Sequence, residues 1–272
     1  MAKALAVKKP ARGGRALGKV GDYRAELAKY AKEDSSRLPS SAGNYISIRG
    51  KNFSYQGAVL EEPLKVAVID YGFENALYEG KWDPEDPQPP VCFAVAKTTD
   101  ELAPHPDSPK PQSEQCKGCP HNEYGTADTG KGKACKNSLR LALLSTETKK
   151  FDADFVAKTE PALMRLPPTS VKHFRGYLKK ITDGLQLPIF SVITALSFEE
   201  EPATPVVVPQ FEEELDDRAL IQALVQKRES VQDALLQPFD VSNYSEQAAK
   251  PKKAKPGKPK PKISGTARKA KF

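Results

Sequence analysis

The chain has few of the side chains on which hydrolytic catalysis usually depends. Its 272 residues include only three histidines, His105, His121 and His173, and none of them forms a legible arrangement with serine and aspartate. The acidic runs at 199–201 and 212–214 have no His or Lys placed for acid–base chemistry and are typical of solvated surface. We therefore expect a protein that is not an enzyme.

Long apolar stretches are also missing. The sequence contains no run of 18 apolar residues, so we expect no membrane-spanning helix and no membrane partner. The N-terminal residues contain no apolar segment of the kind found in secretory signals. The cysteines are too few and too clustered for a disulfide framework. Reduced thiols suit an intracellular protein, and we expect a cytoplasmic location.

Acidic residues are absent from the C-terminal end, where residues 248–272 include ten Lys or Arg. Residues 1–40 include ten basic and four acidic residues, which leaves a net charge of −9 on the residues between the two ends. We expect a flexible basic arm over 1–40 and a disordered Lys/Pro-rich tail over 248–272. Basic arms bind phosphate polyanions through counterion release, which does not depend on base sequence.

All four cysteines fall in one stretch of the chain. Cys116 and Cys119 form a Cys-x-x-Cys turn, Cys135 follows after 15 intervening residues, and Cys92 precedes all three. This spacing approximates a structural zinc site, so we predict that Cys92, Cys116, Cys119 and Cys135 bind Zn²⁺, with His121 as the alternative to Cys92. The alternatives are four free thiols or a redox pair at Cys116 and Cys119. An iron–sulfur cluster is disfavoured because no compact run of three cysteines is present.

The remaining pattern predicts a small β-rich domain. Alternating or apolar segments at 45–49, 53–55, 64–71 and 91–95 indicate strands, and helical spacing follows Pro167. We predict a mainly β fold with added helices (α+β), in the form of a small antiparallel barrel like the oligonucleotide-binding (OB) fold. Its core would span 41–247, with a C-terminal helix at 212–237. Residues 97–136 would form a metal-stapled loop, because they have almost no apolar content.

Aromatic residues with basic neighbours suggest a nucleic-acid surface. Exposed rings stack on bases without regard to sequence, and a barrel face with such rings would serve for this purpose. The alternative is that the rings fill the core. We predict stacking or backbone contacts by Tyr45, Arg49, Lys51, Phe53 and Tyr55, and phosphate contacts by Lys131, Lys133, Lys136 and Arg140.

Four segments resemble a group of tailed-bacteriophage proteins over residues 45–200. They lie at 89–94, 116–122, 132–137 and 166–171, and the two around the cysteines are the most specific. The chain is also similar in plan to the T4-type single-stranded-DNA-binding protein, which combines an OB barrel with a zinc subdomain. That family uses one His and three Cys and has an acidic tail, whereas this chain has four Cys and a basic end.

The resemblance implies a phage single-stranded-DNA-binding protein of replication or recombination, located in the host cytoplasm. It would bind single-stranded DNA without sequence specificity, and phage or host replication proteins are further candidate partners. The alternative is a zinc-stabilised adaptor that binds a replication or transcription protein through its acidic middle. A metal-dependent nuclease is a third hypothesis, although the carboxylate cluster that it needs is not legible.

Overall fold

A computed structural model describes most of the middle of the chain. The described residues are 44–80, 88–148, 150–201 and 204–238, together with Leu27 and Tyr30. Apart from those two residues, the predicted basic arm at 1–40 lies outside the described residues. The predicted tail at 248–272 lies outside them as well.

Among these residues, nine strands form one mixed sheet. They are β1 (Tyr45–Arg49), β2 (Asn52–Tyr55), β3 (Ala58–Val59), β4 (Leu64–Leu77), β5 (Cys92–Ala96), β6 (Lys136–Ser145), β7 (Ala162–Leu166), β8 (Val192–Phe198) and β9 (Val207–Glu214). Their order is β3-β2-β1-β7-β6-β4-β8-β9, and β5 pairs with β4 beside this path. Strands β1 and β7 are parallel. Antiparallel pairing joins β1 to β2, β4 to β5, β6 to β7 and β8 to β9.

The chain divides into two compact units, and the divisions fall at β4 and at the start of β6. The first unit comprises Met1–Tyr71 and Ser138–Leu235, and the second comprises Gly72–Asn137 and Leu236–Phe272. All four cysteines therefore belong to the second unit. Three α-helices in the first unit are named α1 (Ala153–Lys158), α2 (Pro168–Lys179) and α3 (Arg218–Leu235).

Helix α3 covers the core of the first unit with one apolar face. Leu220, Leu224, Val231 and Leu235 recur at helical spacing and are all buried. They pack with Ala67, Ile69, Ala142, Leu144, Val156 and Phe190. The spacing of the apolar residues thus explains both the helix and the face that it buries.

The predicted C-terminal helix at 212–237 begins later than expected. Glu212, Glu213 and Glu214 end strand β9, in which Glu213 and Glu214 pair with Ile193 and Val192 of β8. The helix starts after Asp217, whose side chain accepts a hydrogen bond from the Leu220 amide at 2.7 Å. An acidic run is compatible with a helix start, but strand pairing and the Asp217 cap decide the boundary.

The prediction of a mainly β fold with added helices is confirmed. Strands β4 and β6 are longer than predicted, and β3, β7 and α1 had no clear signal in the sequence. Within the described part of the chain, no helix is long and apolar enough to cross a membrane.

One ion pair attaches α3 to the sheet of the first unit. The Arg228 Nη2 lies 3.2 Å from Asp70 Oδ1, and the Asp70 side chain is only 8% exposed. The guanidinium also lies over the Phe190 ring, 5.5 Å from its centroid. Because Asp70 is buried in β4, loss of the arginine would leave a desolvated carboxylate without this partner.

We expect Arg228→Met to lower the free energy of unfolding by about 1–3 kcal/mol, less than for a fully buried pair because Arg228 is partly exposed. Adding Asp70→Val should recover part of this loss, since the buried charge is then removed. Urea denaturation measures both effects. Glu229→Gln, at an exposed position of the same helix, is the control, and a double variant no more stable than Arg228→Met would contradict the interpretation.

Candidate metal centre and nucleic-acid interface

The second unit brings its four cysteines to one pocket. Cys92 begins β5, where it pairs with Leu77 of β4, while Cys116 and Cys119 come from the long loop and Cys135 directly precedes β6. All four residues line the same pocket. Its volume of about 10 Å³ is about that of a cavity for one water-sized particle. The pocket therefore has room for a single ion.

Hydrogen bonds hold the first part of the loop against β5. The backbone amide of His105 donates to Phe93 O at 2.7 Å, and that of Lys110 donates to Val91 O at 2.7 Å. Between them, Ser108 Oγ lies 3.1 Å from both the amide and the carbonyl of Phe93. The His105 ring stacks on Phe93 with 5.3 Å between the ring centroids. His105 thus contacts strand β5 and does not line the cysteine pocket.

A tight turn places Cys116 and Cys119 together. The Cys119 amide donates to Cys116 O at 3.4 Å, and Gly118 between them has φ of 78°, which favours glycine. The Asn122 side chain donates from Nδ2 to the same Cys116 carbonyl at 2.9 Å. The Asn122 amide donates to Cys119 O at 2.9 Å. One asparagine therefore closes the turn that carries both cysteines.

A backbone hydrogen bond joins Cys135 to the segment that follows this turn. Its amide donates to His121 O at 2.9 Å, after a hairpin-like excursion in which the Gly125 amide donates to Gly132 O at 2.7 Å. His121 also lines the pocket, so the predicted choice between His121 and Cys92 as fourth ligand stays open.

A buried amide pair lies beside the pocket, and sequence reasoning missed it. Asn75 of β4 is 4% exposed and lines the pocket. Its Oδ1 accepts a hydrogen bond from Asn137 Nδ2. Since that oxygen is engaged, the Asn75 amino group is the donor in its side-chain hydrogen bond with Cys116, a bond that lowers the pKa of the thiol. The available signal was a pair of polar residues, Glu74 and Asn75, between apolar residues near the end of this strand.

Burial and the neighbouring thiols disfavour the charged forms of Cys116 and Cys135. Burial raises the pKa of Cys135 to about 12, helped by the neighbouring Cys116, Cys92 and Cys119, while Lys133 opposes the shift. Burial also raises the pKa of Cys116, with smaller contributions from Cys92 and Cys119. Cys116 and Cys135 thus lie close enough to the other two cysteines to feel a negative charge there.

The four cysteines line one pocket, but their side chains do not form a metal-ligating group. The four residues are free thiols. Within the described ranges, no group of three or more His, Cys, Asp or Glu side chains is arranged so that it could hold a metal ion as it stands. The structure therefore places the four cysteines at one pocket, and metal binding itself is taken up below as a proposal.

The predicted stacking residues of the first unit do not share one face. In the antiparallel pair of β1 and β2, Ile46 lies opposite Tyr55 and Arg49 opposite Asn52. Opposite residues project to the same side, so Tyr55 and Phe53 share the side of Ile46, whereas Tyr45 and Arg49 project to the other side. The expectation that Tyr45, Arg49, Phe53 and Tyr55 share one face is therefore wrong.

Phe53 belongs to the core. Its side chain is 1% exposed, and its ring stacks on Phe198 with centroids 4.4 Å apart. Tyr55 is half-buried and its hydroxyl donates to Asn44 Oδ1. Lys51 in the β1–β2 turn donates to Glu200 O. The exposed members of this group are Tyr45 and Arg49.

The predicted phosphate-binding residues fall in both units. Arg140 lies in the first unit, where its Nη1 donates to Leu235 O at 3.3 Å. In the second unit, Lys136 Nζ donates to Lys133 O at 3.1 Å, and Lys131 is exposed. Lys133 Nζ donates to Asn122 Oδ1 at 3.2 Å, beside the cysteine turn. Lys131, Lys133 and Lys136 therefore lie in or next to the segment that joins Cys119 to Cys135.

Tyr124 is an exposed aromatic residue of this loop, and it was not among the predicted nucleic-acid-binding residues. It is 83% exposed, and Lys133 Nζ lies 5.2 Å from its ring centroid. Its position two residues after Asn122, in a polar loop with three lysines, was the available signal.

We expect Asn122→Ala to speed amide exchange at Cys119 and Cys135 about five- to tenfold, because about 1 kcal/mol of side-chain hydrogen bonding to the turn is lost. Hydrogen exchange measured by NMR tests this. The exposed Asn52 of β2 supplies the control variant Asn52→Ala, which should leave both amides unchanged. Equal exchange rates in the Asn122→Ala protein and the parent would show that the asparagine does not close the turn.

No family model, no curated protein and no solved structure matches this chain. The resemblance to phage single-stranded-DNA-binding proteins stays a prediction. Function is therefore inferred from the site itself.

Proposed function

We propose that this chain is a non-catalytic single-stranded-DNA-binding protein whose second unit is held together by one structural Zn²⁺. The observation that carries the proposal is the convergence of four cysteines, from three separate segments, on one ion-sized pocket. The loop that these cysteines organise presents an exposed tyrosine and three lysines.

The chemistry of the four cysteines supports a zinc ion. Four thiolates around one tetrahedral cation form a closed structural site, which has no open position for a substrate. Mutual repulsion of the thiols, described above, is the electrostatic penalty that a divalent cation offsets. Asn75 and Lys133 supply the outer contacts that such sites commonly have, one to Cys116 and one near Cys135.

One observation supports an ion at the cysteines, and a second observation does not. The pocket and the thiol–thiol electrostatics place the four residues together, whereas their side chains do not form a metal-ligating group. The set of residues that line the pocket depends mainly on the backbone, which is fixed by strand pairing and turn hydrogen bonds. A sulfur position depends on rotation about one Cα–Cβ bond, which has three staggered wells.

Single-stranded DNA suits the exposed groups of this loop. A ring that is accessible to solvent can stack on an unpaired base, and neighbouring lysines can contact the backbone phosphates. Basic ends add affinity that does not depend on sequence. The mainly β sheet supports the β class of the predicted OB-like fold, and the barrel itself remains part of this proposal.

The adaptor hypothesis has a separate observation in its favour. At the end of strand β9, which ends the path of the sheet, Phe211 is 44% exposed and is followed by three exposed glutamates. An exposed ring beside carboxylates suits a basic protein partner better than DNA. Recovery of one stoichiometric protein by the chain, together with failure to bind oligonucleotides, would favour this alternative.

We expect the protein purified under reducing conditions to carry one zinc ion per chain, measured by native mass spectrometry. Serine variants at Cys92, Cys116, Cys119 and Cys135 should each lose the ion, because each removes one of four ligands. His121→Gln is the matched control and should retain zinc.

The same mass measurement separates the alternatives. A second sample purified without reductant that is metal-free and lighter by two hydrogens would indicate a disulfide and support the redox interpretation. Zinc retained by Cys92→Ser and lost from His121→Gln would replace Cys92 by the histidine as fourth ligand.

We expect the full chain to bind a single-stranded oligonucleotide at least about tenfold more tightly than duplex DNA of the same length. If about four phosphates are contacted, raising salt from about 50 to 200 mM should weaken binding about 50-fold. Fluorescence anisotropy of labelled oligonucleotides of differing sequence provides the measurement.

Two results would overturn the proposal of single-stranded-DNA binding. One is equal affinity for single strands and duplex, which would leave only a general polyanion-binding protein. The other is no binding at low salt. Cleavage of the oligonucleotide in the presence of Mg²⁺ would instead revive the nuclease hypothesis.

A further inference from the structure

Tyr124 is held in place without being buried. Its ring is 83% exposed, yet one side of it faces the Lys133 ammonium, 5.2 Å from the ring centroid. The same ammonium donates to Asn122 Oδ1 at 3.2 Å. A single exposed aromatic ring is common on protein surfaces, but a ring restrained by a cation has already lost part of the conformational freedom that binding would cost.

The contacts that restrain Tyr124 continue through Lys133 and Asn122 to the cysteines. The Oδ1 of Asn122 accepts a hydrogen bond from Lys133 Nζ, and the Nδ2 of Asn122 donates one to the carbonyl of Cys116. Lys133 also lies close enough to Cys135 to lower the pKa of that thiol. Cys116, Asn122, Lys133 and Tyr124 therefore form a continuous chain of contacts from the pocket to the exposed ring.

The backbone around the ring is closed by its own hydrogen bonds. The hydroxyl of Thr126 donates to Glu123 O at 2.7 Å and accepts from the Ala134 amide at 3.0 Å. These bonds join the segment that carries Tyr124 to the segment that carries Lys133. The ring thus lies on a hydrogen-bonded turn within the second unit.

We propose that Tyr124 is the stacking platform for one unpaired nucleobase, and that metal binding at the cysteines organises this platform. The inference rests on the proposed function and names the contact that makes it selective for single strands. The base stacks on the ring face opposite Lys133. Lys131 on the same turn, and Lys136 at the start of β6 with its Nζ 3.1 Å from Lys133 O, would contact the adjoining phosphates. Bases of every kind have a π-face, so the contact is tolerant of sequence.

The charge around the ring favours this occupant over a cationic peptide. Lys131, Lys133 and Lys136 occur within six residues, and one of them already covers a face of the ring. A lysine or arginine from a partner would be repelled by this group, whereas a phosphate would be attracted. The acidic residues of the same loop segment are Glu123 and Asp128, so the three lysines outnumber them.

The test compares Tyr124→Ala, Tyr124→Phe and Phe211→Ala in the full chain with zinc bound. Loss of one stacked base should weaken single-strand binding about five- to 150-fold in Tyr124→Ala. Tyr124→Phe should bind within about twofold of the parent, because stacking requires the ring and not the hydroxyl. Phe211→Ala removes an exposed ring beside glutamates and should leave the affinity unchanged.

Photocrosslinking identifies the contact directly. An oligonucleotide containing 5-iododeoxyuridine should crosslink to the peptide that contains Tyr124, and mass spectrometry locates the bond. Crosslinks found only elsewhere, or full affinity in Tyr124→Ala, would overturn the assignment while leaving the proposed function intact. If the parent protein does not bind single strands, the proposed function itself fails.

Coupling to the metal is measured with a chelator. Zinc removal should weaken binding of the parent at least about tenfold but that of Tyr124→Ala less than about threefold, since the variant has already lost the contact that the metal organises. Equal fold-losses in the two proteins would show that the metal and the ring act independently and would overturn the coupling. Circular dichroism checks that the first unit stays folded after chelation.

Discussion

The main constraint on the second unit is that its long loop, residues 97–136, buries few apolar side chains of its own. One apolar cluster of this unit consists of Ala94, Ala96, Leu102 and Cys116, with Phe73 packed against them, and the larger Phe93 and Leu77 are buried as well. Most of these residues lie in β4 and β5, so the loop itself gains little from the hydrophobic contribution, which scales with the apolar area removed from water. The long loop must therefore be positioned by hydrogen bonds to β5 and by whatever joins its cysteines.

The first unit has a different basis for its stability. Helix α3 and strands β4 and β6 contribute large aliphatic side chains to one core, as a protein of ordinary apolar content would do. Such a core needs no metal. It follows that loss of an ion from the cysteines would act locally on the loop, through a partial unfolding reaction rather than a global one. A loop that can be ordered or loosened by itself is a natural place for a binding contact.

Much of this arrangement was predictable because some constraints act at short range. Strand segments followed from alternating apolar residues, and the clustering of cysteines around a polar loop indicated a shared site. The partners of β1 were not predictable in the same way. The face on which Phe53 and Tyr55 project depends on the register between β1 and β2, and a local pattern of aromatic and basic residues does not distinguish core from surface.

The missed residues illustrate the same limit. Asn75 becomes important only because Asn137, which is distant in sequence, engages its oxygen and leaves its amino group for Cys116. The Tyr124 ring faces Lys133 across a turn closed by hydrogen bonds, and this contact is not visible in the local sequence. The helix at 212–237 was predicted too early because an acidic run is compatible with a helix start and with the end of an edge strand. In each case a tertiary contact decides among local possibilities of similar energy.

Electrostatics and stacking would have separate tasks in the proposed complex. Lysines at the two ends attract any phosphate polymer, and duplex DNA has the higher charge density, so charge alone would favour the duplex. Preference for a single strand therefore requires a group that duplex DNA cannot satisfy. An exposed ring meets this requirement, because bases in a duplex are already stacked and only an unpaired base can rotate onto it. If the ring is positioned through Asn122 and Lys133, then the proposed ion at the cysteines would control selectivity, while the basic ends would control the total affinity.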